Sequence, residues 1–136
     1  MTDGTGKGSH DIELRLPADL VQLPIIRGLA STIATRADFD LDAIADLRLA
    51  VDEAASTLIT KAAPESTMVC TFTLADDELR FTGRVLTREQ QAPSTGTFGW
   101  RVLTTLTDSA TGWIAANGQG NLMHIQLSKR KPVATP

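Results

Sequence analysis

Residues 40–62 read DLDAIADLRLAVDEAASTLITKA, and they form the strongest periodic pattern in this chain of 136 residues. Asp40 can cap a helix through its side chain, and Asp42 in the first turn suits the positive end of the helix dipole. Pro64 ends the pattern, because proline cannot continue a helix. The sequence therefore predicts a long amphipathic helix, whose apolar stripe recurs at three- and four-residue spacing: Ile44, Leu47, Val51, Ala54, Leu58 and Ala62.

The rest of the chain predicts a sheet and two further helices. Helices are expected over about 19–37, with Asp19 as the cap and Pro24 in an early turn, and over about 98–106. The order β-α-α-β-β-α-β-β predicts an α+β domain, a two-layer sandwich of a mostly antiparallel sheet with the helices on one face. Apolar and polar residues alternate at the predicted strands 11–16, 68–74 and 79–85, and two further strands are expected near 112–116 and 122–127.

Composition and charge exclude several classes of function. Apolar residues make up 42% and charged residues 21%, which is typical of a globular domain, and the length matches a single domain. The net charge of −3 argues against a nucleic-acid partner. The only cysteine is Cys70, so no intrachain disulfide can form. No apolar run is long enough for a membrane span or a signal peptide, so we expect no membrane partner and a cytoplasmic protein.

The two ends of the chain differ in composition from its centre. Residues 1–10 are rich in glycine, serine and threonine, and residues 129–136 combine charge with two prolines. Neither segment can bury much apolar surface. We therefore expect disordered tails at 1–10 and 129–136, and a folded domain over 11–128.

A second stripe on the long helix includes Asp46, Ala50, Glu53 and Thr57, apart from the apolar stripe. Its spacing alone favours an ordinary solvated helix face.

The polar segment 87–99, TREQQAPSTGTFG, is long for a plain connection, and Trp100 follows it directly. Two interpretations of this tryptophan stay open, a core residue or an exposed contact for a partner.

Two more side chains are candidates for chemistry, and both have an ordinary structural interpretation. Cys70 falls on the apolar side of its predicted strand, which indicates a small buried hydrophobe and not a nucleophile. His124 falls on the polar side of its strand, so we expect it at the surface.

Residues 46–62, DLRLAVDEAASTLITKA, resemble the N-box of the histidine-kinase-like (GHKL) ATPases. The strongest likeness is to their RsbW-type anti-sigma branch, including the actinobacterial form that restrains sigma-F, and it covers about residues 11–128. These proteins share the predicted order of elements. The resemblance therefore implies the histidine-kinase-like, or Bergerat, fold.

The resemblance also implies a nucleotide site for ATP and Mg²⁺, in which Glu53 matches the catalytic glutamate. Thr57 replaces an asparagine that helps to hold Mg²⁺ in the family, and a hydroxyl is a weaker ligand than a carboxamide. The adenine-binding Asp-x-Gly-x-Gly motif is missing from residues 80–92, whereas Gly96 and Gly99 keep part of the glycine motif that opens the third helix. We expect a vestigial site without a metal, and enzyme activity that is lost or weak.

Protein partners are the second implication of the resemblance. Arg27 lies where anti-sigma relatives carry an arginine that contacts their partners, and Trp100 is a second candidate contact. We expect an anti-sigma factor that sequesters a stress-type sigma factor until a STAS-type anti-anti-sigma antagonist releases it. Two alternatives stay open: an ATP-dependent serine kinase that phosphorylates the antagonist, and a sensory domain that binds a small molecule. Relatives often pair as homodimers, and the first strand could extend a sheet across two copies.

Overall fold

The structure is a computed structural model that describes residues 9–132. Its five strands form one antiparallel sheet in the order β1-β2-β3-β5-β4, and the helices pack on one face, so the predicted α+β sandwich is confirmed. A single 3-10 turn, Leu20–Gln22, precedes the first helix. The elements are β1 (Ser9–Pro17), α1 (Leu23–Arg36), α2 (Leu41–Lys61), β2 (Thr67–Ala75), β3 (Glu78–Thr87), α3 (Phe98–Leu106), β4 (Ser109–Asn117) and β5 (Gly120–Arg130).

Helix α2 begins and packs as its sequence predicts. The Asp40 carboxylate accepts a hydrogen bond from the backbone N–H of Ala43 at 2.8 Å, which caps the helix. The helix crosses β3 at Gly83, where an added Cβ would lie 2.7 Å from Leu58 Cδ1. Only glycine leaves room for so close an approach. Ala50 is fully buried, so it belongs to the core and interrupts the stripe expected to run from Asp46 to Thr57.

The start of α1 differs from the prediction in one detail. Asp19 caps the 3-10 turn, where its side chain accepts from the backbone N–H of Val21 at 3.1 Å. The α-helix itself begins four residues later at Leu23, with Pro24 in its first turn. Proline is tolerated there because the N–H groups of the first turn have no partner within the helix.

The first and last strands in sequence, β1 and β5, extend beyond their predicted limits. Ser9 and His10 belong to β1, and Lys129 and Arg130 belong to β5, so the tails expected at 1–10 and 129–136 do not include these four residues. The Lys129 ammonium donates to Asp46 Oδ2 at 3.2 Å and to a backbone carbonyl of α3 at 2.9 Å, which explains why a charged residue continues the strand. Residues 1–8 and 133–136 lie outside the described part of the chain.

The core lies between the sheet and the helices. Phe72 on β2 and Phe81 on β3 pair there with ring centroids 5.2 Å apart. Cys70 is fully buried beside them, and burial raises the pKa of its thiol to about 12. The expected inert cysteine is thus confirmed, because a thiol that stays protonated is a poor nucleophile. No helix within residues 9–132 is both long enough and apolar enough to cross a membrane.

The face of the sheet opposite the helices carries an aromatic pair. The His124 ring stacks on Trp113 of the neighbouring strand, with centroids 4.8 Å apart and planes 6° from parallel. The histidine is half-buried, so the expected surface position is wrong in this respect. Burial lowers the pKa of His124. A backbone contact at Leu122 raises this pKa, and the positive charge of Arg84 lowers it further.

Candidate functional site

Glu53 lies in a small pocket between α2 and α3. Its carboxylate contacts Gly99 so closely that an added Cβ would collide with Oε2, and Thr57 donates a hydrogen bond to the same oxygen at 3.4 Å. The carboxylate thereby lies beside the N-terminal end of α3, where a negative charge is favoured by the helix dipole. The pocket measures about 290 Å³ and is lined by Glu53, Thr57, Thr60, Lys61, Pro93, Ser94, Thr97, Gly99 and Trp100.

These residues do not fit a nucleoside triphosphate with its metal. A phosphate at the start of α3 would meet the Glu53 carboxylate, and two negative groups repel at such short range. Thr57 already donates its hydroxyl to that carboxylate. Within residues 9–132, no three acidic, histidine or cysteine side chains come together as metal ligands. The volume is also at the lower end of the roughly 300–1,000 Å³ of small-molecule pockets.

The residues predicted for the cofactor are only partly brought together. Thr57 and Gly99 both contact Glu53 in the pocket. Gly96 is exposed in the loop before α3, and its N–H donates to the Ser94 hydroxyl at 3.2 Å. The loop bends there, so Gly96 does not line the pocket.

Trp100 belongs to the interior of the protein. Its side chain is only 8% exposed, and the indole extends to Gly112 of β4 alongside Pro93. The prediction of an exposed partner contact is therefore wrong for this residue. Thr97 caps the helix by accepting from the Trp100 backbone N–H at 3.0 Å, which directs the tryptophan inwards. Phe98, which is 81% exposed, is the aromatic residue that α3 presents to solvent.

Arg27 lies on a different surface, between α1 and α2. Its guanidinium donates to Asp52 Oδ1 at 2.9 Å. The side chain of Arg27 is 31% exposed and that of Asp52 is 29% exposed. One turn before Asp52, Leu49 is 57% exposed, and Arg48 beside it is exposed as well. Together with Ala45, these four residues line an open hollow of about 390 Å³, which we call the Arg27 surface.

The resemblance identified Arg27 but not its four neighbours on α2, which are Ala45, Arg48, Leu49 and Asp52. Leu49 is the signal that could have found them, because it departs from the apolar stripe and stands between two charged positions, Arg48 and Asp52. A leucine out of phase with the buried side of a helix is exposed. The Arg27 surface is apolar at its centre and carries two arginines and one carboxylate.

Comparisons with known proteins bear on the resemblance stated above. Over 107 residues, the chain is 37% identical to the anti-sigma-F factor RsbW of Mycobacterium tuberculosis, with the same values for strains CDC 1551 and H37Rv. The aligned segment covers 79% of this chain and 64% of the relative. The resemblance to RsbW-type anti-sigma factors is confirmed.

A solved structure supports the fold of this RsbW-like chain. The crystal structure of the RsbU and RsbW domains of Rv1364c from Mycobacterium tuberculosis matches it with a TM-score of 0.62 at 18% identity. The match covers 93% of this chain and 34% of that protein. No protein-family model matches the chain. The chain thus shares its fold with part of that protein, which is consistent with the expected histidine-kinase-like fold, and it spans 64% of the length of the curated relatives.

The two candidate sites of the RsbW-like chain differ in what they offer a ligand. The pocket at Glu53 is small, and its carboxylate lies beside the first turn of α3. The Arg27 surface is open and combines exposed apolar area with charge. The arrangement therefore favours recognition of another protein over chemistry on a nucleotide.

Proposed function

We propose that the chain is an anti-sigma factor, which sequesters an alternative, stress-type sigma factor and so represses transcription. The likeness to anti-sigma-F factor RsbW supports this function. The proposal is of a protein that acts by binding, because the Glu53 pocket does not fit the nucleotide and metal of a kinase.

The observation that carries the proposal is the position of Arg27. One nitrogen of its guanidinium is engaged by Asp52, and the group has further N–H donors that can bind a second carboxylate. Asp52 also holds the side chain in place before a partner arrives, which lowers the entropic cost of binding. Leu49 beside it supplies apolar area for the same contact.

Titration calorimetry of the purified chain with a candidate sigma factor tests this function. We expect a one-to-one complex per site, and Arg27→Ala should weaken it by at least about tenfold, as truncation of a central arginine does. Arg88→Ala is the matched control, because Arg88 is exposed in the loop after β3 and should leave the affinity unchanged. If no sigma factor of the same genome binds, the proposed function is wrong.

We further infer that an anti-anti-sigma protein of the STAS type competes for the Arg27 surface. Two partners that need the same guanidinium exclude each other, and the difference between their affinities decides which is bound. Addition of the antagonist to the sigma complex should release the sigma factor on size-exclusion chromatography. Co-elution of all three proteins in one complex would rule out competition.

The serine kinase remains the alternative outcome of these experiments. Its best support is Glu53, which the resemblance matches to the catalytic glutamate. We expect no phosphoserine on the antagonist after incubation with Mg-ATP, because phosphoryl transfer depends on positioned phosphates and metal. Phosphorylation that disappears in Glu53→Gln would replace the binding-only function with the kinase.

Among residues 9–132, no strand pairs with the outer edge of β1, and this edge supports a homodimer as a further part of the proposal. In an antiparallel pairing centred on Leu14, Glu13 of each copy faces Arg15 of the other copy, which gives two symmetric ion pairs. Ile12 of each copy faces Leu16 of the other. Light scattering should then give twice the monomer mass. Arg15→Glu should dissociate the dimer, and the double swap Glu13→Arg with Arg15→Glu should restore it. A monomer at every concentration would contradict the pairing.

A further inference from the structure

Helix α3 has a second apolar face, which the described residues cover only in part. Trp100 and Leu103 are buried against the sheet and α2. On the other side, Phe98 is 81% exposed, and the half-buried Val102 and Leu106 follow it at four-residue spacing. A helix of a single soluble domain normally has one apolar face, and a second one marks a contact surface.

This second face carries an open, shallow hollow along the single helix α3. It measures about 260 Å³ and is lined by Phe98, Arg101, Val102, Thr105 and Leu106, and we call it the Phe98 groove. The lining extends over two turns of helix, about 12 Å, which is the span that one face of a docked helix contacts. Phe98 stands at one end as an anchor, and Val102 and Leu106 form the floor.

The charge of the groove selects its occupant. Arg101 is the only ionisable residue of the lining, it is exposed, and it joins none of the ion pairs within residues 9–132. A complementary segment therefore carries a carboxylate opposite Arg101 and apolar side chains opposite Phe98 and Val102.

A second copy of this chain is a poorer occupant. Twofold pairing of two α3 helices places the symmetry axis near Val102, the centre of the stripe from Phe98 to Leu106. The Arg101 side chains of the two copies would then approach each other at the axis, and like charges in a desolvated contact repel.

We propose that the Phe98 groove binds an acidic amphipathic helix of a partner protein. The apolar stripe of that helix lies on Val102 and Leu106, Phe98 packs against its side, and Arg101 pairs with its carboxylate. The groove shares no residue with the Arg27 surface, so this interaction and the proposed anti-sigma function can fail independently.

Two synthetic helical peptides test the proposal with the full chain. One carries leucines at three- and four-residue spacing flanked by glutamates, and its twin has every glutamate replaced by lysine. Fluorescence anisotropy should show that the acidic peptide binds at least about tenfold more tightly than its twin. Amide NMR shifts should map to 98–106. Equal binding of the two peptides, or binding of neither, would overturn the proposal.

Variants then assign the contact to individual side chains. Phe98→Ala should weaken binding of the acidic peptide by at least about tenfold. Arg101→Glu should reverse the preference, so that the lysine peptide binds more tightly than the acidic one. Leu41→Ala is the matched control, because Leu41 is 84% exposed on α2, outside the groove, and should change nothing. Far-UV circular dichroism verifies that each variant is folded.

Two results would identify a different occupant and also overturn the proposal. One is a dimer of the chain that dissociates in Phe98→Ala, which would mean that a second copy covers the groove. The other is binding to vesicles containing anionic phosphatidylglycerol that depends on Phe98 and Arg101 while the acidic peptide does not bind, which would mean a membrane surface.

Discussion

The carboxylate of Glu53 on α2 lies directly against the Cα of Gly99 on α3, with no space for a side chain between them. The contact joins two helices whose residues are far apart in sequence. It also places a negative charge beside the first turn of α3, where unpaired N–H groups favour one. A side chain larger than that of glycine at this position would have to displace the carboxylate.

Gly99→Ala should lose much of the roughly 0.4–1 kcal/mol that alanine normally gains over glycine in a helix, because the Glu53 carboxylate, the end of a flexible side chain, has to move aside for the added methyl group. The measurement is the free energy of unfolding in urea. Gly28→Ala is the matched control, since a Cβ there meets no atom within 4 Å, and it should stabilise α1 by roughly 0.4–1 kcal/mol.

The double variant Gly99→Ala with Glu53→Ala separates this collision from other effects. Removing the carboxylate frees the space, so Gly99→Ala should recover most of the lost gain in that background. An equal effect of Gly99→Ala in both backgrounds would show that Glu53 is not the neighbour that matters.

Lys129→Met should lower the free energy of unfolding by about 1–2 kcal/mol, the contribution of charge-assisted hydrogen bonds at a partly exposed site. The ammonium connects Asp46 on α2, the carbonyl of Leu106 on α3 and the end of β5, and its side chain is only 18% exposed. Arg88→Met in the exposed loop should stay within about 0.5 kcal/mol of the wild type. Equal effects of the two substitutions would contradict a role for Lys129 in joining these elements.

Cys70 should react with a thiol reagent only after unfolding. Its pKa of about 12 leaves almost no thiolate at pH 8, and the side chain is fully buried. Absorbance with a disulfide reagent should stay flat in native buffer and rise to one thiol per chain in denaturant. Rapid labelling of the folded protein would mean that β2 opens readily.

His124 should make stability depend on pH. Its folded-state pKa lies below the ordinary 6.5, so the folded protein binds fewer protons than the unfolded chain in this range. The stability that neutral His124 contributes is fully present above pH 6.5. It is lost as the pH falls from there towards the lowered pKa of His124 in the folded protein. Urea unfolding at pH 7.5 and 5.5 should show a smaller loss in His124→Gln than in the wild type, and an identical loss would contradict this assignment.

Local signals in the sequence predicted the elements of the fold. Asp40 and Pro64 mark the limits of α2, because caps and helix breakers act within a few residues. The end of β5 could not be predicted in this way. Lys129 looks like part of a polar tail, and the partners that hold it lie 83 and 23 residues away in sequence.

The candidate site was less predictable than the fold. Arg27 and Glu53 were identified by resemblance, but Asp52 pairs with Arg27 across 25 residues, and no local pattern encodes that contact. For Trp100, a core position and an exposed contact both stayed open, because it follows a polar loop. Its helical phase, three residues before the buried Leu103, was the better guide to its burial.

Asp52 and Glu53 are adjacent in sequence, and they face opposite sides of the layer of helices. Asp52 holds Arg27 of α1, and Glu53 contacts Gly99 of α3. Because α2 is one unbroken helix of 21 residues, a rotation about its axis cannot move one carboxylate without moving the other. A ligand that turns α2 while binding at one side therefore changes the geometry at the other.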